Sequence, residues 1–258
     1  MTDSAEQQTQ PKLNIEGRVA TITLSKPAYA NRLSVHDLQI IQQYVHAVNE
    51  NKHVLVLTFE AEGKYFCSGF DINNFGDVNS PSSLVFGETV DMVEVARPIT
   101  VAAVHGGVYG GGSDLALACD FRFGTENTNM FVPASRLGLH FYPGGMKRYV
   151  QRLGLDHAKR VLITAEHFDA QALKSMGFLT DLVDAEAFSD KVSEFVNHLS
   201  NLAPLTLASV KRHLNLIADG TLLRDEIDKL VIASEQSEDI QEGFRAWRDK
   251  RTPVFKGT

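Results

Sequence analysis

The sequence predicts an α/β fold in which largely parallel strands alternate with helices, followed by a purely helical C-terminal region. Two continuous apolar runs of strand length, Val54–Phe59 and Ile99–Val104, have the character of strands that are buried on both faces. Apolar residues at helical spacing lie between these runs and dominate the chain after about Tyr149. This alternation is typical of parallel sheets whose strands are joined by helical crossovers.

The elements of the first half follow from apolar periodicity and from capping and turn residues. Apolar and polar residues alternate on both sides of Gly17, which predicts a hairpin, and Ser34 suits the N-cap of the first helix. The predicted order is a hairpin of Leu13–Ile15 and Val19–Leu24, a helix from Ser34 to about Glu50, the strand Val54–Phe59, a helix over Ser83–Val95, the strand Ile99–Val104, a helix from about Ser113, and short strands at Phe121–Phe123 and Met130–Val132.

The second half is predicted to be mainly helical. The expected helices are Lys147–Leu153, Asp156–Ile163, Asp169–Met176, Asp184–Leu199, Pro204–Ala218 and a long Leu222–Asp249. We therefore divide the chain into a flexible polar tail over residues 1–11, an α/β core over 12–200 and a C-terminal helical region over 201–258.

Composition excludes several classes of protein. The net charge of −7 argues against nucleic acid or an anionic membrane surface as a partner. The two cysteines, Cys67 and Cys119, lack metal-ligand spacing, so we expect no metal site and no disulfide framework. No apolar run approaches the ~18 residues of a membrane span. The N-terminal MTDSAEQQTQPK lacks the features of a signal peptide, and we expect a cytoplasmic protein.

A glycine-rich segment after the second buried strand is the first indication of chemistry. PITVAAVHGGVYGGGSDLALACD, residues 98–120, places five glycines within seven residues, immediately before a helical pattern. Glycine allows a close backbone approach, and a helix N-terminus attracts negative charge. Gly110–Gly112 therefore predicts an anion or oxyanion site, although a tight turn with close strand–helix packing is the alternative. The segment lacks the lysine of a phosphate loop and the spacing of a dinucleotide fingerprint.

A second small-residue turn, Ser68–Gly69, follows the first buried strand. Backbone donors at the ends of adjacent parallel strands could converge on a single oxygen atom. Such a pair of donors serves an enolate or a tetrahedral intermediate. The two turns together predict an oxyanion site.

These segments resemble the enoyl-CoA hydratase/isomerase superfamily, also called the crotonases. The resemblance covers roughly residues 12–256 and is carried by Lys26–Ser34 (KPAYANRLS), Phe66–Ile72 (FCSGFDI), Ala103–Asp120 (AVHGGVYGGGSDLALACD), Leu137–Leu139 (LGL), Gly144–Arg148 (GGMKR), Ala170–Gly177 and Lys250–Lys256 (KRTPVFK). The combination is highly specific for the superfamily and much less specific for the reaction.

The resemblance implies a spiral of ββα units with a helical C-terminal region, assembled as a homotrimer or a dimer of trimers. It also implies an acyl-CoA thioester as substrate, with no further cofactor, and an enolate held by the backbone N–H groups of Ser68 and Gly111. The residues that would bind CoA are Lys26, Ala28, Ala30, Ser68, Phe70, Asp71, Ile72, Phe255 and Lys256. Lys26 and Lys256 are equally well explained as solvated surface lysines.

The proton-transfer residues depart from the pattern of the hydratases that the chain resembles. Those enzymes carry two glutamates, at the positions of Asp114 and Ala134 here, and alanine cannot hold a proton. The resemblance implies Asp114 as the acid/base, helped by Tyr142 or His140. Asp114 could instead cap a helix, and a lone histidine such as His140 is more often a packed or surface residue.

Three classes of function stay open. The first is a hydratase or isomerase that uses Asp114, although the acidic residues that dienoyl-CoA isomerases carry at the positions of Tyr142 and Ala134 are missing. The second is a decarboxylase or other lyase, or a carbon–carbon bond hydrolase of the same fold. Decarboxylating members resemble the chain at Ser237–Phe244 and need no base, because loss of carbon dioxide generates the enolate. The third is a weakened acyl-thioester binder, against which the intact glycine turns argue.

Overall fold

The strands form two sheets, and successive strands of the core are placed alternately in one sheet and in the other. The computed structural model describes residues 9–72 and 83–258. Its strands are β1 (Lys12–Glu16), β2 (Val19–Leu24), β3 (Val56–Ala61), β4 (Tyr65–Cys67), β5 (Ile99–Val104), β6 (Gly107–Tyr109), β7 (Phe121–Gly124), β8 (Asn129–Phe131), β9 (Phe168–Asp169) and β10 (Asp181–Leu182).

The sheet order reveals a repeated ββα unit. The larger sheet has the order β1-β2-β3-β5-β7-β10, and the smaller sheet has the order β4-β6-β8-β9. In the pairs β3/β4, β5/β6 and β7/β8, the first strand joins the larger sheet and the second joins the smaller one. Neighbours from β2 to β10 in the larger sheet are parallel, and β1 closes it as an antiparallel hairpin with β2. The predicted hairpin and the predicted ββα spiral are both confirmed.

The helices connect these units and then form the C-terminal region. They are α1 (Val35–Glu50), α2 (Ser83–Glu94), α3 (Gly111–Ala118), α4 (Ala134–Leu137), α5 (Pro143–Thr164), α6 (Ala170–Ser175), α7 (Phe188–Ser200), α8 (Pro204–Ala218), α9 (Arg224–Glu235) and α10 (Glu238–Asp249). None of the helices in the described ranges is long and apolar enough to cross a membrane.

The first helix shows how the sequence sets an element boundary. The Ser34 hydroxyl accepts a hydrogen bond from the Asp37 N–H (3.3 Å), and the Asp37 carboxylate accepts one from the Ser34 N–H (2.8 Å). This reciprocal capping box satisfies two backbone donors that the helix cannot satisfy internally. The N-cap predicted at Ser34 is confirmed.

The two buried strands separate two apolar clusters, as their continuous apolar sequence predicts. Leu57 and Phe59 of β3 belong to the larger cluster, whereas Leu55 and Val56 belong to a smaller one. Along β5, Ala102 and Val104 face the larger cluster, and Val101 and Ala103 face the smaller one, where α7 packs. Side chains alternate across a strand, so a strand that is covered on both sides must be apolar throughout.

Several element boundaries differ from the predictions; for example, the helix expected from Lys147 begins at Pro143, and the strand expected over Val54–Phe59 runs over Val56–Ala61. The helix expected from about Ser113 begins at Gly111, because the glycines form its first turn rather than a loop before it. The long helix expected over Leu222–Asp249 is wrong: α9 ends at Glu235, and a new helix begins after Ser237, whose hydroxyl accepts from the Ile240 N–H (3.1 Å). The helix expected from Asp184 begins at Phe188.

Candidate active site

A pocket of about 270 Å³ lies where the two predicted turns meet. We call it the central pocket. Its lining is largely apolar, and it contains Ser68 and Phe70 after β4, Gly110 and Gly111 at the start of α3, and Ala134 on α4. The other lining residues are Arg32, Asp71, Ile72, Phe86, Val132, Pro133, Leu137, Leu139, His140, Phe141 and Tyr142. Two segments that are about 40 residues apart in sequence thus form one site.

Gly69 lies close to the backbone at the start of α3. Its φ angle is +93°, and a Cβ atom at this position would lie 2.7 Å from the Gly111 nitrogen and 3.2 Å from the Gly112 nitrogen. A side chain at position 69 would therefore press against the backbone amides at the start of α3. Glycine is required here both for the positive φ and for the contact.

The backbone amides of Ser68 and Gly111 differ in what they contact. The Ser68 N–H donates a hydrogen bond to the Ala30 carbonyl oxygen (2.9 Å). That bond contradicts the prediction that Ser68 is an oxyanion donor, because its amide is already satisfied within the chain. Gly111 is the first residue of α3, and its N–H has no acceptor among the described residues. Its amide lies at the wall of the central pocket.

The next amide after Gly69 has a different orientation from that of Ser68. Leu33 pairs with Phe70 in a parallel bridge: the Leu33 N–H donates to the Gly69 oxygen (2.8 Å), and the Asp71 N–H donates to the Leu33 oxygen (2.9 Å). In this pattern the bridged residue directs its own N–H away from its partner strand. The Phe70 N–H therefore points away from Leu33.

Asp114 lies behind the pocket wall, and Tyr142 separates it from the pocket. The Asp114 side chain is fully buried and does not line the pocket. Its carboxylate accepts a hydrogen bond from the Tyr142 hydroxyl (2.7 Å) and two from Arg148 Nη1 (2.9 and 3.0 Å). Tyr142 is 8% exposed and lines the pocket. The structure thus brings together two of the three predicted catalytic residues.

Burial controls the proton affinities of this pair. Burial raises the pKa of Asp114 above its ordinary value, although the Arg148 charge and the Tyr142 hydrogen bond act in the opposite direction. Burial, reinforced by the Asp114 charge, raises the pKa of Tyr142 well above its ordinary value. The tyrosine is consequently neutral over the physiological range.

Arg148 is a part of the site to which the sequence analysis assigns no role. Its guanidinium is fully buried and contacts three carboxylates: Asp114, Asp91 (2.6 Å) and Glu94 (3.2 Å). Burial lowers the pKa of Arg148, but the three carboxylates outweigh burial and raise it overall. The one signal in the sequence is an arginine within the GGMKR segment that carries the family resemblance, and nothing there indicates its partners.

The third predicted catalytic residue, His140, is exposed at the pocket edge. Its Nδ1 atom lies 2.8 Å from the Phe141 carbonyl oxygen. Ala134 lines the pocket, at the position where similar hydratases carry a glutamate. Asp71 is the one carboxylate among the described residues that line the pocket, and it pairs with Arg32 (3.3 Å).

The residues predicted to bind CoA fall into three groups. Phe70, Asp71 and Ile72 line the central pocket together with Ser68. Lys26, Ala28 and Ala30 lie outside it, and the Lys26 ammonium pairs with the nearly inaccessible carboxylate of Asp37 (2.8 Å). Phe255 lines a different cavity beside α10, next to the exposed Lys256.

Comparison with known proteins agrees with this architecture. A family model described as enoyl-CoA hydratase/isomerase matches residues 14–258. An enoyl-CoA hydratase of Dictyostelium discoideum is 27% identical, covering 93% of this chain and 88% of the relative. A carnitinyl-CoA dehydratase of Proteus mirabilis is 26% identical, covering 95% and 97%.

Solved structures give the same result. An enoyl-CoA hydratase from Bacillus anthracis superposes with a TM-score of 0.85 at 26% identity, covering 96% of this chain and 99% of that protein. A member of the enoyl-CoA hydratase/isomerase family from Hyphomonas neptunium gives 0.88 at 26% identity, covering 96% and 98%. The chain therefore belongs to the enoyl-CoA hydratase/isomerase family and is an enzyme that processes acyl-CoA.

Proposed function

We propose that the enzyme passes through a thioester enolate whose oxygen is bound by the backbone amides of Gly111 and Phe70. The observation that carries this proposal is the contact of Gly69 with the amides that begin α3. Because Gly69 has no side chain, nothing from that residue covers the Gly111 N–H, and the Leu33 bridge turns the Phe70 N–H away from its own partner strand. Backbone donors in a pocket of low polarity stabilise developing negative charge strongly.

The substitution Gly69→Ala tests the oxyanion site. The added Cβ would press on the Gly111 amide, and we expect turnover to fall by about 10²–10³-fold, the loss typical of one oxyanion donor. The matched control is Gly220→Ala, because Gly220 has a similar φ of +79° but open space around its Cβ position. If both variants lose turnover equally, the loss comes from backbone strain, and the proposed oxyanion site is wrong.

Proton transfer is proposed to run through Tyr142, with Asp114 as the acid/base behind it. The Tyr142 oxygen takes the α-proton of the thioester while its own hydroxyl proton passes to Asp114, and the reverse transfer returns a proton to the enolate. This route suits the geometry because Tyr142 lines the pocket and Asp114 does not. Such chemistry serves an isomerase, or a hydratase that adds water at the β-carbon.

Tyr142→Phe, with Tyr149→Phe as its control, tests this route. Tyr149 is also buried, but its hydroxyl contacts Ser113 instead of Asp114. We expect Tyr142→Phe and Asp114→Asn to retain acyl-CoA binding by titration calorimetry and to lose about 10²–10⁴-fold in turnover. Tyr149→Phe should lose less than tenfold. Unchanged turnover in Asp114→Asn would remove that residue from the mechanism.

A decarboxylase is the second candidate, and one observation favours it. Ala134 places no carboxylate at the pocket wall, and Asp114 is held by Arg148, so the pocket is poor in free bases. Loss of carbon dioxide from a malonyl-type thioester needs the oxyanion site alone. Incubation of a saturated acyl-CoA in deuterium oxide separates the two. Rapid α-proton exchange supports the isomerase or hydratase, whereas no exchange, together with carbon dioxide release from a malonyl-type thioester in a parallel incubation, supports the decarboxylase.

The predicted homotrimer or dimer of trimers is also part of the proposal. The neighbouring helices α8 and α9 expose Leu205, Leu214, Ile217, Val231 and Ile232. Exposed apolar side chains concentrated in this way are typical of a subunit interface. We expect sedimentation velocity to show three or six chains, and Leu214→Glu to weaken the assembly. The control Leu155→Glu, at a similarly exposed leucine on α5, should leave it intact. A monomeric wild type would contradict this assembly.

A further inference from the structure

A second and larger cavity lies beneath α8, and the proposed reaction does not use it. Its volume is about 600 Å³, and it shares no lining residue with the central pocket. We call it the α8 cavity. It is open to solvent and is bounded by α8, by α5 and by the starts of β5 and β7. Cavities of this size hold small organic ligands in many proteins.

The charged residues that line the α8 cavity include one more cation than anions. Its charged residues are Arg122, Arg152, Lys147 and Lys211, against Glu94, Asp120 and Asp219. Three of the cations pair with carboxylates of the lining: Lys211 with Asp120 (2.7 Å), Lys147 with Asp219 (2.7 Å) and, at a longer distance, Arg152 with Glu94 (3.7 Å). Arg122 is therefore the cation that an incoming ligand would meet without a compensating carboxylate among the described residues, and Arg152 lies beside it.

Arg122 is buried without a carboxylate partner in the described part of the chain. The residue is 5% exposed, and its guanidinium donates hydrogen bonds to the backbone carbonyls of Phe178 (2.5 Å), Cys119 (2.5 Å) and Asp120 (3.3 Å). These bonds use Nε and Nη1, and no hydrogen bond within the described residues uses Nη2. Burial, followed by the charge of Arg152, lowers the pKa of Arg122 to about 10.

Arg152 lies directly beside Arg122. Its Nη1 donates to the same Cys119 carbonyl oxygen (2.8 Å), so one acceptor holds both guanidinium groups. The carboxylate nearest to Arg152 is Glu94, at 3.7 Å, and Glu94 also contacts Arg148. Two adjacent like charges at the floor of a cavity repel each other, and a buried charge is costly unless an opposite charge accompanies it.

The walls of the α8 cavity are apolar, which restricts the kind of anion that fits. Phe121, Leu199, Leu207, Val210 and Leu214 form much of the lining. An inorganic ion would meet the guanidinium pair but would leave this apolar surface uncovered. Guanidinium groups bind the planar or tetrahedral oxygens of carboxylates and phosphates through paired hydrogen bonds.

We propose that the α8 cavity binds a small amphiphile, with an oxyanion head on Arg122 and Arg152 and an apolar chain against α8. The head is a carboxylate or a phosphate monoester, since both offer the same oxygen geometry to a guanidinium pair. The site is separate from the acyl-CoA pocket and does not depend on the reaction proposed above.

Titration calorimetry with octanoate, octyl phosphate, 1-octanol and inorganic phosphate tests the proposal on the full chain. We expect octanoate or octyl phosphate to bind at least tenfold more tightly than either 1-octanol or inorganic phosphate, because both head and chain are needed. The stronger of the two identifies the head group. If octanoate and octyl phosphate bind the wild-type protein no more tightly than 1-octanol, the proposal is overturned.

Two variants locate the site on the protein. Arg152→Gln should weaken binding of the preferred amphiphile at least tenfold. The control Arg160→Gln, at an exposed arginine farther along α5 that pairs with Glu166, should leave the affinity unchanged. Neither residue lines the central pocket. Unchanged binding in Arg152→Gln would overturn the proposal. The proposal would also be overturned if neither octanoate nor octyl phosphate binds. If Arg152→Gln then dissociates the assembly, a second copy of the chain supplies the anion.

Discussion

Two buried arginines of this protein stand in opposite electrostatic surroundings. Arg148 is fully buried and contacts Asp91, Glu94 and Asp114, whose charges raise its pKa. Arg122 is almost as buried, but it contacts backbone carbonyls and lies beside Arg152, and its pKa is lowered. Carboxylates of the chain neutralise the charge of Arg148, whereas the charge of Arg122 is stabilised by the dipoles of backbone carbonyl groups.

The difference shows how a buried charge can be used in two ways. The Arg148 cluster orders groups on α2, α3 and α5 around the central pocket and holds Asp114 against Tyr142. The Arg122 pair keeps a positive potential at the floor of an open cavity. A compensated arginine fixes structure, whereas an uncompensated one is available to bind.

The largest expected effect is on stability, from Arg148→Met. This change leaves Asp114 buried and without its countercharge, and removing one partner of a buried ion pair typically costs about 3–5 kcal/mol. We expect a fall of that size in the free energy of unfolding, measured by urea denaturation. The double variant Arg148→Met/Asp114→Asn should recover part of the loss, because the stranded charge is gone. If the double variant is no more stable than the single one, the ion pair is not the cause.

A smaller loss is expected from Arg122→Met. No carboxylate is stranded, and the main unmet group is the carbonyl of Phe178, at a cost of about 1–3 kcal/mol, because the Cys119 carbonyl keeps its hydrogen bond from Arg152. Removal of one of two repelling charges offsets part of that cost. The same urea measurement should therefore give a smaller loss than for Arg148→Met. An equal or larger loss would contradict the distinction between the two arginines.

The sequence predicts the fold and the place of the site well, because both depend on local patterns. Apolar runs identify β3 and β5, the serine cap identifies α1, and the glycines at 69 and 110–112 mark the turns that meet. These features are encoded within a few residues of where they act. Gly154 is a further case: its φ of +77° interrupts α5 between the two helices predicted there.

The features that the sequence did not predict depend on contacts between distant segments. The resemblance implies Ser68 as a donor, but the Ser68 N–H donates to the carbonyl of Ala30, a residue with a positive φ in an earlier loop. The orientation of a single peptide plane leaves no periodic pattern in the sequence from which it could be predicted. Arg148 was missed for the same reason, since its three partners come from α2 and α3.

The smallest predicted effect is a shift in the pH dependence of turnover. Asp114 accepts a proton in the proposed route and must be ionised, so kcat/KM should fall as pH drops through its pKa, which burial places above the ordinary value. Arg148 opposes that rise. A weaker cationic contact raises the pKa of Asp114 further and moves the acid limb to higher pH.

Arg148→Lys provides this weaker contact without removing the charge. A lysine cannot reproduce the guanidinium contacts with all three carboxylates, and we expect the acid limb to move up by about 0.5–1 pH units, less than the 1–3 units that loss of a neighbouring opposite charge produces. Arg122→Lys is the control, because it makes the same change at an arginine that does not contact Asp114. The acid limb of the Arg122→Lys variant should coincide with that of the wild type. If the acid limb shifts in both variants, or in neither, it does not reflect the ionisation of Asp114. The role of the compensated arginine would then be confined to stability.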